Sequence, residues 1–336
     1  MVWFKFLLCV VIILFAGTKL ARYGDAIAEK TGLGRIWIGL VLIATVTTMP
    51  ELVTGVSSAA LVGLPDLALG TLLGSCLFNL TILALLDILH RPTPILSQVS
   101  LRHIASAGMG ILLIAIAAGS IFAGDRFSGL ALGWVGIPSI VIIIVYLIGT
   151  WQMFRFERKH QLVSPQAALL QYEEVSTKTV CLRFTLAAIA VIGAGIWLSF
   201  VGDEIAETTG WSASFVGSLF LAITTSMPEL TVAIAALRLG AVDMAVADIL
   251  GANMLDMVVI TWADLFYTPG PILAMVSRAH LITAMVAIIM SLLVIVGLRF
   301  PQKRKTFIVI SWYGVALVGL YIFGAYALFI SGIGLG

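Results

Sequence analysis

Apolar stretches of about the 20 residues that a membrane-crossing helix needs recur along the whole chain. They fall at residues 3–22, 36–60, 66–88, 101–123, 129–152, 180–201, 212–237, 242–265, 272–297 and 306–331. The pattern predicts an all-α integral membrane protein of ten transmembrane helices. One connection is clearly polar, residues 153–178, with Arg155, Glu157, Lys159, Glu173, Glu174 and Lys178. It separates a unit at 1–152 from a unit at 179–336, each with five spans.

Two of the apolar stretches are interrupted by the same polar motif, Thr47-Thr48-Met49-Pro50-Glu51-Leu52 and Thr225-Ser226-Met227-Pro228-Glu229-Leu230. A carboxylate in hydrocarbon costs several kcal/mol, so it is paired, solvated in a cavity or functional. A proline inside a span frees a backbone carbonyl one turn earlier and kinks or breaks the helix. Each motif therefore predicts a broken helix with a carboxylate and freed carbonyls at one depth, which suits a hard cation.

The motifs belong to a longer repeat. Gly24-Asp25-Ala26-Ile27-Ala28-Glu29-Lys30-Thr31-Gly32 reappears as Gly202-Asp203-Glu204-Ile205-Ala206-Glu207-Thr208-Thr209-Gly210, and Glu51 maps on Glu229 at the same offset of 178. Beyond that the offset is 177, pairing Asp66 with Asp243, Gly74 with Gly251 and Asp87 with Asp264. An odd number of spans per unit turns the two copies upside down relative to each other. Inverted repeats with broken helices near the midplane are the architecture of secondary transporters.

Composition agrees: 61% of residues are hydrophobic and 11% charged, and mean hydropathy is +1.12, against roughly 25% charged residues in soluble domains. The net charge of +2 and the lack of a basic aromatic patch give no reason to expect nucleic acid. With ten spans, Lys5, Arg126 and Arg278 fall on one side and the other 16 of the 19 Lys and Arg on the opposite side. The positive-inside rule then puts both termini outside. Met1 to Leu20 could pass for a signal peptide, but the repeat argues that it is kept. Cys9, Cys76 and Cys181 lie in apolar segments and are read as packing residues.

A second polar element follows each motif: Gly70-Thr71-Leu72-Leu73-Gly74-Ser75-Cys76-Leu77-Phe78-Asn79 and Ala247-Asp248-Ile249-Leu250-Gly251-Ala252-Asn253-Met254-Leu255-Asp256. Small residues there permit close helix approach, and Asn79 and Asp256 occupy equivalent points. Ca²⁺ takes 6–8 oxygen ligands with irregular geometry, and Glu51, Glu229, Asp256 and Asn79 are of the right chemical class. No His or Cys is placed among these candidates, which argues against zinc or copper. Several carboxylates close together repel, so an emptied site should take up protons or sodium. That is a physical basis for exchange.

These stretches (44–80 and 222–257) resemble the α-repeats of the cation/calcium exchanger superfamily, whose motif reads roughly G-T-S-x-P-E followed by G-x-x-G-S-x-x-x-N/D. The resemblance implies an alternating-access antiporter that exchanges Ca²⁺ for Na⁺, with K⁺ or H⁺ as alternatives. It implies Glu51 and Glu229 as the calcium carboxylates and Asn79 and Asp256 as partner oxygens. Thr47, Thr48, Ser75, Thr225 and Ser226 would supply oxygens for sodium, with the Ala44 and Ala222 carbonyls as further candidates. No cofactor is expected beyond the transported ions, and the setting is the bilayer of an inner or plasma membrane, with a monomer as the working state.

This chain departs from the family pattern at four places. Val46 and Thr224 stand at the glycine before the first threonine, Ala252 at the second serine, and Asp248 at the usual asparagine. Asp248 adds a carboxylate about two turns from Asp256 and makes proton coupling an alternative. Outside the motifs, Asp66 and Asp243 are read as helix caps and Asp87 and Asp264 as interfacial. The Gly-Asp…Thr-Gly segments are read as turns and caps. A passive channel and an intramembrane hydrolase are the rival classes. The paired broken-helix signature argues against the first, and no substrate route suggests the second. No nucleotide-binding motif is present, so ATP is not expected to drive the process.

Overall fold

The computed structural model describes residues 1–31, 44–90, 93–124, 131–159, 176–307 and 309–333. The start of the predicted span 36–60, most of the connection 153–178, and Arg35, Arg91 and Arg126 lie outside them.

The fold is nearly all helical. In order come α1 (Val2–Thr31), a helical turn at 44–47, α2 (Met49–Ala60), α3 (Pro65–Leu89), α4 (His103–Ala123), α5 (Ile137–Lys159) and α6 (Thr177–Thr209). Then follow α7 (Ala213–Thr225), α8 (Met227–Arg238), α9 (Val242–Phe266), α10 (His280–Arg299) and α11 (Trp312–Ile333). Among the described residues seven helices are long and apolar enough to cross a membrane, and α7 with α8, bent by 42°, would make an eighth. The shorter apolar helix in α5, and α2 with the turn before it, fall where two further spans were predicted.

Several boundaries differ from the sequence reading, each for a local reason. Helices α1 and α6 run straight through the Gly-Asp segments taken for turns, because each segment is rich in helix formers and the two helices pack along each other. The stop comes at Gly210, whose φ of +72° closes α6 with a left-handed cap. The stretch predicted as 272–297 divides into a short turn, Ile272–Met275, and α10. Residues 131–136 form a small antiparallel hairpin turning at Gly133, φ +70°, before α5 starts.

Helices α3 and α9 are the most buried spans and form the centre of the bundle. They also carry polar side chains that lipid does not accept, Asn79 on α3 and Asp248, Asn253 and Asp256 on α9, all buried inside the bundle. Helix α7 lies unusually close to α3. A Cβ at Gly74 would overlap the Ser218 backbone, and one at Gly217 would meet Leu67 O and Thr71 N. Ser218 Oγ donates to Gly70 O at 3.1 Å across this seam. Gly74→Ala should therefore push α7 off α3 and cost about 1–3 kcal/mol, as overpacking does. A lowered melting temperature in detergent checks this; Gly108→Ala, where a Cβ meets nothing within 4 Å, is the control.

The two units hold each other crosswise. Asp66 Oδ1 accepts from Ser277 N at 2.7 Å and pairs with His280 Nε2 at 2.9 Å. At positions 177 residues on or back, Asp243 Oδ1 accepts from Ser100 N at 2.7 Å and pairs with His103 Nε2 at 3.0 Å. Neither aspartate caps its own helix, which corrects the sequence reading: each satisfies the chain entering a helix of the other unit. Asp87 and Asp264, read as interfacial, are fully buried. Asp264 accepts from Ile272 N at 2.6 Å and Gly136 N at 2.8 Å. Asp87 accepts from Ile95 N at 2.9 Å, Ser311 N at 2.7 Å, Ser311 Oγ at 3.1 Å and Tyr313 OH at 2.6 Å.

Candidate ion-binding site

The two motifs break their helices at Thr48 (φ −76°, ψ 3°) and Ser226 (φ −84°, ψ 9°), each followed by a proline in the first turn of the next helix. Both residues sit in the sparsely populated bridge region of backbone space. Pro50 and Pro228 have no N–H, so they sit in the first turns of α2 and α8 without leaving a donor orphaned. Glu51 and Glu229 lie in those first turns, where the helix dipole favours a negative charge.

The carboxylates are buried, at 1% exposure for Glu51, 0% for Glu229 and Asp256, and 2% for Asp248. The motifs meet directly, since Ser226 Oγ donates to Glu51 Oε1 at 2.9 Å. Ser75 Oγ lies 3.5 Å from Thr225 Oγ1, joining α3 to α7. Glu229 is within electrostatic range of Glu51, Asp248 and Asp256, and Asp256 within range of Glu51.

Unmet acceptors concentrate here. Glu51 Oε2, both oxygens of Glu229, both of Asp248, Asp256 Oδ1 and the amide oxygens of Asn79 and Asn253 have no hydrogen-bond partner. Buried polar atoms are otherwise nearly always paired, so such a set calls for an explanation. Among the described residues, no group of three or more His, Cys, Asp or Glu side chains encloses one point tightly enough to hold an ion.

The hydroxyls are differently disposed. Thr48 Oγ1 and Thr47 Oγ1 both bond Ala44 O, at 2.7 and 3.1 Å, and Thr48 N does so at 3.0 Å. That carbonyl, a candidate ligand by sequence, already accepts three donors. Ala222 O accepts from Ser226 N at 3.1 Å and Thr225 Oγ1 at 3.3 Å. These bonds brace the breaks.

Two residues escaped the sequence reading. Cys76, taken for packing, has Sγ 3.7 Å from Asp256 Oδ2 and 3.8 Å from Asn253 O. Asn253 returns the contact, donating from Nδ2 to Cys76 O at 3.3 Å. The two occupy equivalent repeat positions, and that equivalence was the available signal. Hydropathy ranks cysteine with core residues and carries no sign of the carboxylate beside this one.

Paired helix breaks that gather unpartnered carboxylates inside an apolar bundle are the hallmark of a multi-pass membrane ion transporter. Comparison with known proteins makes the class specific: the chain belongs to the sodium/calcium exchanger protein family, whose model matches residues 1–152 and 179–330. This is a family of membrane exchangers, not of enzymes. The chain is 27% identical over 302 residues to the inner membrane protein YrbG of Escherichia coli (strain K12), covering 88% of each chain. Its fold is similar to that of native YfkE, with a TM-score of 0.68 at 21% identity over 97% of this chain and 91% of that one. It is also similar to the sodium-calcium exchanger NCX_Mj, with a TM-score of 0.60 at 20% identity over 97% and 99%.

Proposed function

We propose that this protein is a secondary active antiporter that exchanges Ca²⁺ for Na⁺ by alternating access. Glu51, Glu229, Asp256 and Asn79 form its calcium site, and Thr47, Thr48, Ser75, Thr225 and Ser226 complete the sodium positions. One observation carries the reading: carboxylates from both units are buried together with most of their oxygens unpartnered. Such a cluster is stable only when cations neutralise it, so one cation leaves as another arrives, and crossing empty is disfavoured. The reciprocal staples and the repeat support two inverted five-helix units with ten spans in all. The distribution of Lys and Arg supports both termini outside, and the likeness to an E. coli inner membrane protein supports an inner or plasma membrane.

Proton coupling is the second reading, and Asp248 favours it. Its two oxygens have no partner, and it replaces the asparagine of the family pattern. The test is ⁴⁵Ca²⁺ uptake by proteoliposomes under separately imposed outward Na⁺, K⁺ and H⁺ gradients. Uptake driven by Na⁺ alone is expected. Uptake driven only by H⁺ or K⁺ would move the coupling to that ion. Flux indifferent to every gradient would end the antiporter reading.

A further inference from the structure

We propose that the loop following α10, residues 299–307, is a docking surface for anionic phospholipid headgroups, held by Arg299, Lys303 and Arg304. It lies outside the ion site, so the inference stands apart from which cations are exchanged.

The charge here is concentrated and unanswered. Arg299, Lys303, Arg304 and Lys305 fall within residues 299–305, and residues 265–336 contain no Asp or Glu. Arg299, Lys303 and Arg304 are exposed, and among the described residues no ion pair joins them to a carboxylate. Lys305 has another task. Its Nζ donates to the backbone oxygens of Asp87 and Val309, so it anchors the loop and leaves the other three to face outward.

The loop is built on its own hydrogen bonds. Thr306 Oγ1 donates to Gln302 Oε1 at 3.1 Å and accepts from Trp312 N at 3.3 Å, and Phe307 N donates to Ile310 O at 3.1 Å. Two aromatic side chains stand open beside the cations, Phe300 at 68% and Phe307 at 53% exposure. The Arg299 guanidinium lies 5.8 Å from the Phe300 ring centre.

Both flanking helices, α10 and α11, are long and apolar enough to cross a membrane, which holds the loop where hydrocarbon meets headgroup. A cation there reaches a phosphate, and a phenyl ring enters the acyl boundary. A soluble polyanion would answer the charges and leave both rings in water, so lipid is the occupant that satisfies both. Three like charges this close repel one another. An anionic headgroup removes that repulsion, whereas a zwitterionic one brings a positive charge of its own. On the ten-span reading 16 of the 19 Lys and Arg share this side, so the test must separate this loop from positive charge at large.

Detergent-purified protein is titrated with phosphatidylglycerol or phosphatidylcholine, and bound lipid is read by native mass spectrometry and thermal unfolding. Wild type should retain phosphatidylglycerol and melt higher with it, and phosphatidylcholine should do neither. Each Lys or Arg at an anionic surface contributes about fivefold in affinity. Arg299→Gln/Lys303→Gln/Arg304→Gln should therefore bind phosphatidylglycerol at least about tenfold more weakly, while melting like wild type before lipid is added. Lys178→Gln/Arg183→Gln/Arg238→Gln removes three exposed charges from the same side outside the loop and should keep wild-type affinity. Should the loop variant unfold, its three single substitutions, each expected to weaken binding about fivefold, decide in its place. Equal loss in the two triple variants, or equal retention of the two lipids by wild type, would overturn the proposal. Stabilisation by inorganic phosphate as strong as by phosphatidylglycerol would overturn lipid as the occupant.

Discussion

Glu229→Gln is expected to abolish Na⁺-driven ⁴⁵Ca²⁺ uptake without unfolding the protein, and Glu51→Gln should do the same. Glutamine keeps the shape and one oxygen but removes the charge. Losing one member of a buried charged pairing costs about 2–5 kcal/mol, which is roughly 30-fold to several thousand-fold in ion affinity. The fold tolerates the change because neither carboxylate oxygen of Glu229 holds a protein partner. The amide in place of Glu51 can still accept from Ser226 Oγ. Without ions, both variants should melt no lower than wild type, since a desolvated unpaired charge has been removed. Full uptake in both variants at low Ca²⁺ would sink the site assignment, and uptake lost along with the fold would leave binding as the wrong explanation.

Asp87→Ala is the variant expected to harm the fold most. Its carboxylate gathers Ile95 N, Ser311 N, Ser311 Oγ and Tyr313 OH, and its backbone oxygen receives Lys305 Nζ. Removing the side chain orphans two backbone donors and a phenol in a site closed to water. At about 1–3 kcal/mol for each buried unmet group, the loss is on the order of 4 kcal/mol or more. That is a large part of a typical folding free energy. Thermal unfolding in detergent should show a marked drop and early release of α11. Asp87→Asn should fall between, because an amide keeps one acceptor oxygen. A melting temperature within a degree of wild type would show that the hub contributes little.

Glu51 and Glu229 were legible in the sequence because a proline-glutamate pair in a long apolar run has few bland explanations. The repeat was legible because polar residues are scarce enough for a shared offset to stand out. What stayed hidden depended on which neighbour a side chain meets. Asp66 and Asp243 sit at helix starts, so their own helices looked like the partners, but the donors come from the other unit. Asp87 looked interfacial because it ends a span, and the loops that fold over it give no local signal. The helical run through Gly202 and Asp203 came from packing against α1, which overrides the turn preference of glycine and aspartate. Cys76 looked apolar because one-residue hydropathy cannot register a carboxylate approaching from another helix.

The crosswise staples also bear on how the chain is made. Asp66 finds its donors at Ser214, Ser277 and His280, which are 148, 211 and 214 residues later. Asp87 waits 224 residues for Ser311. A ribosome that has delivered only the first unit has therefore released a bundle whose polar ends are still unanswered. Its helices enter the bilayer as they emerge, but their final seating follows completion of the second unit. A chain truncated between the units would therefore leave Asp66 without its donors and Asp87 without those of Ser311 and Tyr313.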